Sequence, residues 1–373
     1  MSRRFDVAII GAGMAGASLA AEVADRASVL LLEREAQPGY HSTGRSAAFW
    51  SETYGGRLVQ PLTSASGIFM ADPPADFAER PFLSPRGALH IADAAGGAAL
   101  DALCREFAGS GVSMVRLGRE DLENLVPGLR HGWDAGVLEG SCTDIDVAAL
   151  HAAYLKAARR RGAILWSDAR LVAANRGSGR WLLDTQAGAA EAAVIVDAAG
   201  AWADEIALLA GAAPLGVQPY RRTIAQLRTD PPARADLPLV IDALGRFYFK
   251  PEAGGRLWLS PHDETVCPPC DAAAEEYDVA LAIDRFQQVV DWKVERVEHS
   301  WAGLRSFAPD RLPVYGFEPG VEGFFWCAGQ GGFGIQTAPA AAKLAAALLL
   351  DARPDPLVAG IDPRPYRPGR FAN

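Results

Sequence analysis

Apolar residues along this chain recur with two different periods. Phe5 to Ile10 is an almost unbroken apolar run of strand length, and Ser28 to Leu32 is a second one. Between them lie a glycine-rich turn and an alanine-rich stretch reaching about Asp25, which reads as a helix. The chain therefore opens with a βαβ unit. Glu120-Asp121 to Val126 reads as a short helix, and Asp146 to Arg161 is amphipathic at helical spacing, with Asp144 or Asp146 near its cap. Strands are predicted at Ala163 to Trp166 and Trp181 to Thr185, with Gly177-Ser178-Gly179 turning between them, and at Ala193 to Asp197.

The middle of the chain has a different texture. Pro231-Pro232, Pro238, Pro251 and Pro268-Pro269 punctuate short alternating runs such as Arg246 to Pro251 and Arg256 to Ser260, the pattern of an antiparallel sheet with loops. Phe324 to Ala328 is again a buried strand, and it meets a second glycine-rich turn, Gly329 to Gly334, before a final helix. Buried βα units at the start, middle and end predict an α/β fold. Its Rossmann-type domain is discontinuous (1–82, 143–216 and 302–373), with an inserted α+β substrate domain on a mixed or antiparallel sheet (83–142 and 217–301).

Composition narrows the partners. At 373 residues, 50% apolar and 22% charged, the chain is long enough for two domains around one interface. Its net charge of -9 is scattered, and no basic cluster offers a footprint for nucleic acid. Glycines interrupt Val7 to Leu19 where a secretory signal would carry leucine, and Ala338 to Leu350 is too short for a bilayer span and carries Lys343. Five irregularly spaced cysteines suggest no disulfide framework, so a reducing cytoplasm is expected. Cys267-Pro268-Pro269-Cys270 has CxxC spacing, but it lacks the strand-to-helix context of a redox motif and has no second pair for zinc. No metal site is expected.

Gly11-Ala12-Gly13-Met14-Ala15-Gly16 is a GxGxxG pattern between strand and helix. Gly11 allows the tight turn, Gly13 lets backbone approach a pyrophosphate, and Gly16 lets the helix pack closely on the strand. The helix N-terminus adds free N–H groups and positive dipole for phosphates. Glu33 ends the second strand, where an acid binds ribose hydroxyls and argues against a 2′-phosphate. The pattern does not separate NAD from FAD. The next stretch does: Gln37 to Ala48 is long and rich in small donors where a nicotinamide dehydrogenase would proceed to another helix, and this suits a flavin dinucleotide.

Four segments, in order, carry a family resemblance: Leu32 to Ser46, Ala199-Gly200-Ala201-Trp202, His299 to Phe307, and Gly323 to Gln336. They resemble the D-amino-acid oxidase family of FAD enzymes and, within it, the D-arginine dehydrogenases most closely, over nearly the whole chain. The resemblance implies non-covalent FAD contacted by Ala15, Glu33, Arg34, Ser42, Thr43, Gly44, Arg45, Ser46, Ala47 and Ala48, by backbone at Leu171, and by Gly200. Gly331, Gly332, Phe333, Gly334, Ile335 and Gln336 are implied at the flavin ring, where amides at a helix N-terminus would stabilise negative charge on the reduced cofactor.

An α-amino acid needs a carboxylate anchor, which an arginine fork supplies bidentately. Arg222 and Arg305 match the family positions that do this, and Tyr54 and Tyr248 match tyrosines that close over the substrate. Phe49, Ala88, Gly332 and Gln336 complete the expected pocket. The implied reaction is oxidative deamination of D-amino acids to 2-oxo acids and ammonia, with hydride passing from Cα to flavin N5. His41 and His299 read as structural histidines rather than bases. One departure matters: Ala88 stands where D-arginine dehydrogenases carry a glutamate that pairs a cationic side chain, and Phe49 replaces a histidine. Neutral, apolar side chains are therefore expected over basic ones. Rival readings are a secondary-amine oxidase acting on sarcosine or glycine, an NADPH-dependent flavoprotein hydroxylase, and a non-catalytic FAD protein. The electron acceptor is open among oxygen, a quinone and another carrier.

Overall fold

The computed structural model describes residues 3–371. β1 (Arg3–Ile10), α1 (Met14–Val23) and β2 (Val29–Leu32) form the opening βαβ unit. β1 pairs in parallel with β2 on one side and with the strand Gly188–Asp197 on the other. The eight-stranded sheet runs Leu171–Gly177, Arg180–Thr185, Gly188–Asp197, β1, β2, Ile164–Trp166. Phe324–Ala328 joins in parallel at the end of Gly188–Asp197, with Val314–Phe317 antiparallel beyond it. The pleat divides the core. Val7 and Ile9 pack with Ala17, Leu150, Tyr154 and Leu344 on one face, while Ala8 and Ile10 pack with Trp181, Phe324 and Trp326 on the other. Because both faces are covered, these strands read as continuous apolar runs.

α1 lies close on β1 through Gly16, where a Cβ would stand 1.9 Å from the Gly11 carbonyl oxygen. The amphipathic helix Val147–Arg160 is capped by Asp146, whose carboxylate accepts the Ala149 N–H at 2.9 Å. Asp144 instead accepts from Arg86 and Lys250, so it plays no part in the cap.

The second sheet has ten strands, and two of them are far longer than the punctuated sequence suggested. Gln218–Asp230 and Lys293–Phe307 pair antiparallel along their length. Next in order come Arg256–Ser260, Tyr248–Glu252, Leu239–Asp242, Ala88–Ala92, Ala135–Glu139 and Met114–Leu117. Gln330–Gly331 pairs at the other edge, and Thr265–Val266 pairs Gln218–Asp230. Lys293–Phe307 is thus one continuous strand through position 302. A small third sheet joins Phe49–Trp50, Thr143–Ile145 and Leu83–Pro85.

Two local expectations need correction. The turn Gly177-Ser178-Gly179 links Arg180–Thr185 not to Ile164–Trp166 but to a further strand, Leu171–Gly177, whose residues Ala173, Asn175 and Arg176 weaken its apolar alternation. The final helix begins at Ala338, so the turn Gly329 to Gly334 does not sit at its N-terminus; Ile335, Gln336 and Thr337 intervene in successive turns. Among the described residues, no helix is long and apolar enough to cross a membrane.

Candidate functional site

The carboxyl ends of β1, β2 and Gly188–Asp197 open onto a cavity of about 800 Å³. Ligands of doubly wound sheets bind in this position. At one end the cavity is lined by Glu33, Arg34, Arg170 and Leu171, then by Gly11, Gly13 and Ala15 at α1. It continues past Ser42, Thr43, Arg45, Ser46 and Ala47 to Gly303, Arg305, Gly331, Gly332, Gly334 and Ile335. Glu33 is buried, and its two oxygens accept the N–H groups of Ala12 and Glu35, each at 3.0 Å. Burial raises its carboxyl above the usual range against the pull of those N–H groups. The Thr43 hydroxyl accepts the Met14 N–H at 2.9 Å, fastening the small-residue segment to the first turn of α1. Ser42 donates to the Leu304 carbonyl at 2.7 Å, and Arg34 stacks over Trp202 at 4.5 Å.

A second cavity of about 220 Å³ adjoins the first, and Arg305 lines both. Its wall includes Phe49, Tyr54, His90, Leu103, Ile241, Tyr248 and His262. The long antiparallel pair explains why two arginines converge here. Tyr220 opposes Arg305 and Arg222 opposes Gly303, so Arg222 and Arg305 are diagonal neighbours on one face of the sheet. Gly303 adds no side chain on that face, and a Cβ there would stand 3.3 Å from Arg45 Cβ.

The charges in this corner are unevenly matched. Arg222 is 3% exposed; its Nε donates to the Asp263 carbonyl at 2.6 Å, its Nη2 lies 3.3 Å from Glu264, and its Nη1 has no partner. Burial and then the neighbouring Arg305 lower its pKa to about 10. Arg305 donates to the Tyr54 hydroxyl at 2.7 Å and has no carboxylate within ion-pair distance among the described residues. Burial works against its charge, but Tyr54, Tyr248, Glu264 and Asp263 hold its pKa above the ordinary value. The buried Tyr248 hydroxyl and His90 Nε2 are also without partners. His262 is held neutral, at about 2, by burial and then by Arg222 and Arg305; His90 is held at about 4 by burial. Buried donors without partners are costly unless a ligand completes them.

Gly332 shows how little room the corner leaves. A Cβ there would stand 2.0 Å from the Tyr54 hydroxyl and 3.0 Å from Arg305 Nη1. The glycine permits the Arg305–Tyr54 contact at the mouth between the cavities.

Six of the expected site residues are placed elsewhere. Gly16 packs α1 on β1, and Gly44 closes a turn on Gly39, its N–H donating at 2.8 Å. Ala48 lines neither cavity, and its N–H is taken by Ser46 Oγ at 3.1 Å. Phe333 is 4% exposed and packs with Val59 and Phe307. Gln336 is 2% exposed, with its side chain spent on Ser51 N–H, the Tyr54 carbonyl and Thr63 Oγ1, so it braces the Tyr54 segment rather than reaching a ligand. Ala88 is fully buried with Leu239, Ile224 and Tyr248; it shares a strand face with His90, which lines the second cavity, but lines neither cavity itself. His41 lines the large cavity but bonds Glu35 at 2.9 Å, and His299 stacks on Trp301. His90 and His262 had no sequence signal, since they meet at the second cavity only through the strand order that runs from Ala88–Ala92 through Leu239–Asp242 and Tyr248–Glu252 to Arg256–Ser260. Trp202 also lines the large cavity, and its signal in the sequence is its place directly after Ala199-Gly200-Ala201.

These residues fit a flavin dinucleotide. An acid sits at the far end, a helix start whose cap residue Gly13 carries no side chain and a hydroxyl-rich segment lie midway, and a glycine-lined wall faces a guanidinium at the near end. A family model described as FAD dependent oxidoreductase matches residues 6–348, and the chain belongs to that family. Its cofactor is FAD, held non-covalently. Cys327 lies buried in Phe324–Ala328 and lines neither cavity. The chain is 27% identical over 366 residues to glycine oxidase of Geobacillus kaustophilus, covering 94% of each chain. The solved structure of that glycine oxidase superposes with a TM-score of 0.85 at 24% identity over 100% of both chains. L-proline dehydrogenase from P. horikoshii superposes at 0.84 with 20% identity, over 100% of this chain and 98% of its own. Mouse mitochondrial dimethylglycine dehydrogenase is 27% identical over 254 residues, 62% of this chain and 29% of its own.

Proposed function

We propose that this chain oxidises small amino acids and secondary amines of the glycine and sarcosine type at the carbon–nitrogen bond next to a carboxylate. One observation carries the reading: Arg305 lines the junction of the two cavities with no carboxylate partner among the described residues, beside an unpartnered Arg222 Nη1. A guanidinium in that position matches a substrate carboxylate in charge and fork geometry. The relatives favour the glycine type, since glycine oxidase and dimethylglycine dehydrogenase are named for such substrates.

FAD, when bound, supplies the hydride acceptor. The protein's own part is to bind and orient. Arg305, with Arg222 beside it, takes the carboxylate, and the Tyr54 and Tyr248 hydroxyls close around it. The two guanidinium charges disfavour an ammonium nearby, so the substrate nitrogen is held neutral with its lone pair free. His90 and His262 stay neutral and add no competing charge. Phe49, Tyr54 and Tyr248 wall the corner against water. The imine product hydrolyses in water, so glycine gives glyoxylate and ammonia, and electrons leave to oxygen, a quinone or another carrier.

The second cavity favours a second reading, oxidative deamination of D-amino acids with neutral, apolar side chains. It offers space beside Arg305 lined by Phe49, Leu103 and Ile241. Anaerobic bleaching of the yellow holoenzyme by glycine, sarcosine, longer N-alkylglycines, D-Leu, D-Met, D-Phe and D-Arg separates the two. Fastest bleaching by glycine or sarcosine supports the first reading, and by D-Leu or D-Phe the second. Fastest bleaching by D-Arg, or by NADPH alone, overturns both.

A further inference from the structure

The segment after His262 braces both ends of the site. At its start, the Asp263 carbonyl accepts from Arg222, and its carboxylate accepts the Thr223 N–H at 2.8 Å. At its end, the Ala272 carbonyl accepts Arg45 at 2.7 Å, and Asp271 ion-pairs with Arg45 and accepts the Tyr40 hydroxyl at 3.1 Å. Arg45 and Tyr40 both line the large cavity. Midway between these anchors, Cys267 Sγ and Cys270 Sγ lie 3.5 Å apart. Cys267 is fastened by its N–H to the Pro219 carbonyl at 3.2 Å, directly after the Thr265–Val266 strand. Both cysteines are half-buried and pack against Ala201, Ala302, Leu304 and Trp202, three of which (Ala201, Trp202 and Leu304) line the large cavity.

We propose that Cys267 and Cys270 form a reversible dithiol–disulfide pair that sets how tightly the protein holds FAD. A low-molecular-weight disulfide is the oxidant. One protein thiolate attacks it, forming a mixed disulfide and releasing one small thiol. The second protein thiolate displaces the other small thiol and closes the Cys267–Cys270 bond. Two electrons pass from the protein sulfurs to the reagent sulfurs, and the two protons leave with the released thiols. The pair starts close enough that side-chain rotation brings the sulfurs to a bonding separation of about 2 Å. Closure removes open conformations of the turn that carries Asp271 and Ala272. Arg45 and the Tyr40 to Ser46 wall are then released less often, and FAD leaves more slowly.

The test uses holoenzyme, one portion reduced with a phosphine and one oxidised with glutathione disulfide at pH 8.5, because burial and the Cys270 contact raise the Cys267 thiol above its ordinary value. Alkylation and peptide mass spectrometry read the bond, and recovery of flavin fluorescence on dilution reads FAD release. The expected result is loss of the mass of two hydrogens at Cys267–Cys270, and release slowed about three- to tenfold. Cys267→Ser and Cys270→Ser keep one thiol each, so they should stop at the mixed adduct with FAD release not slowed, while Cys104→Ser, at a half-buried thiol elsewhere, should respond as wild type. If either serine variant fails to fold, the oxidised and reduced wild type still decide. The proposal is overturned if both thiols remain alkylatable, if glutathione stays on the wild type as a mixed adduct, if the bond forms with release unchanged or faster, or if release from a serine variant slows equally.

Discussion

Arg305→Met is the most direct perturbation of the proposed carboxylate clamp. Methionine approximates the length of the arginine stem and removes the fork that faces both cavities. Truncating one partner of a desolvated, hydrogen-bonded charge pair costs about 2–5 kcal/mol. Arg222 lies diagonally opposite and keeps an unpartnered Nη1, so part of the carboxylate's charge remains matched. That places the expectation at the low end, about 2–3 kcal/mol, or roughly 30- to 150-fold in kcat/KM. Arg305→Lys keeps the charge but loses the fork and should fall about tenfold. The assay is dye reduction by the best substrate at matched FAD content, run beside the corresponding carboxamide. The amide has no carboxylate to lose, so its turnover should change far less. The reasoning is refuted if Arg305→Met costs less than threefold while Arg222→Met costs more than thirtyfold. It is equally refuted if acid and amide fall in parallel.

Three further outcomes follow from the structure. His262 and His90 are held near 2 and 4, whereas the unfolded chain protonates them near 6.5, so the unfolded state binds more protons below that value. Stability from this source is present above pH 6.5 and lost on acidification, up to about 2 kcal/mol for each histidine between pH 7 and 5; urea midpoints at the two pH values check it, and His262→Asn should flatten the dependence. Gly16→Val places side-chain atoms where the Gly11 carbonyl stands and should strip FAD and lower Tm, read by flavin absorbance and thermal melting. Ala88→Glu should destabilise the fold by about 3 kcal/mol or more by burying a charge among Tyr248, Leu239 and Ile224. Its Tm should fall without any gain in D-Arg turnover, and a stable variant with raised D-Arg turnover would contradict the placement of Ala88.

Some residues in this site could be read from the chain and others could not, and the difference is physical. Gly11, Gly13 and Glu33 belong to one continuous βαβ unit, so spacing alone located them along the large cavity. Ser42, Thr43, Arg45, Ser46 and Ala47 were equally legible, because a run of small donors with no helical period has few uses beside a glycine turn. Gln336 misled for the opposite reason: it follows the glycine-rich turn in sequence, but the turn aims its side chain inward at Ser51, Tyr54 and Thr63. Ala88 misled because alternation puts it on the same strand face as His90, and only the packing of Leu239, Ile224 and Tyr248 around it keeps it from lining the second cavity.

The chain by itself determined the buried parallel strands, the fingerprint between them, the acid at the second strand's end and the α/β class. Each depends on residues close in sequence, where period and turn chemistry act directly. Only the tertiary structure decided that Arg222 and Arg305 share a face, that two neutral histidines meet at a second cavity, and that Cys267 and Cys270 sit between the anchors of Arg222 and Arg45. Those facts rest on strand register between distant segments. A slip of one residue in the pairing of Gln218–Asp230 with Lys293–Phe307 would turn one arginine away from the other, and no local pattern records that register.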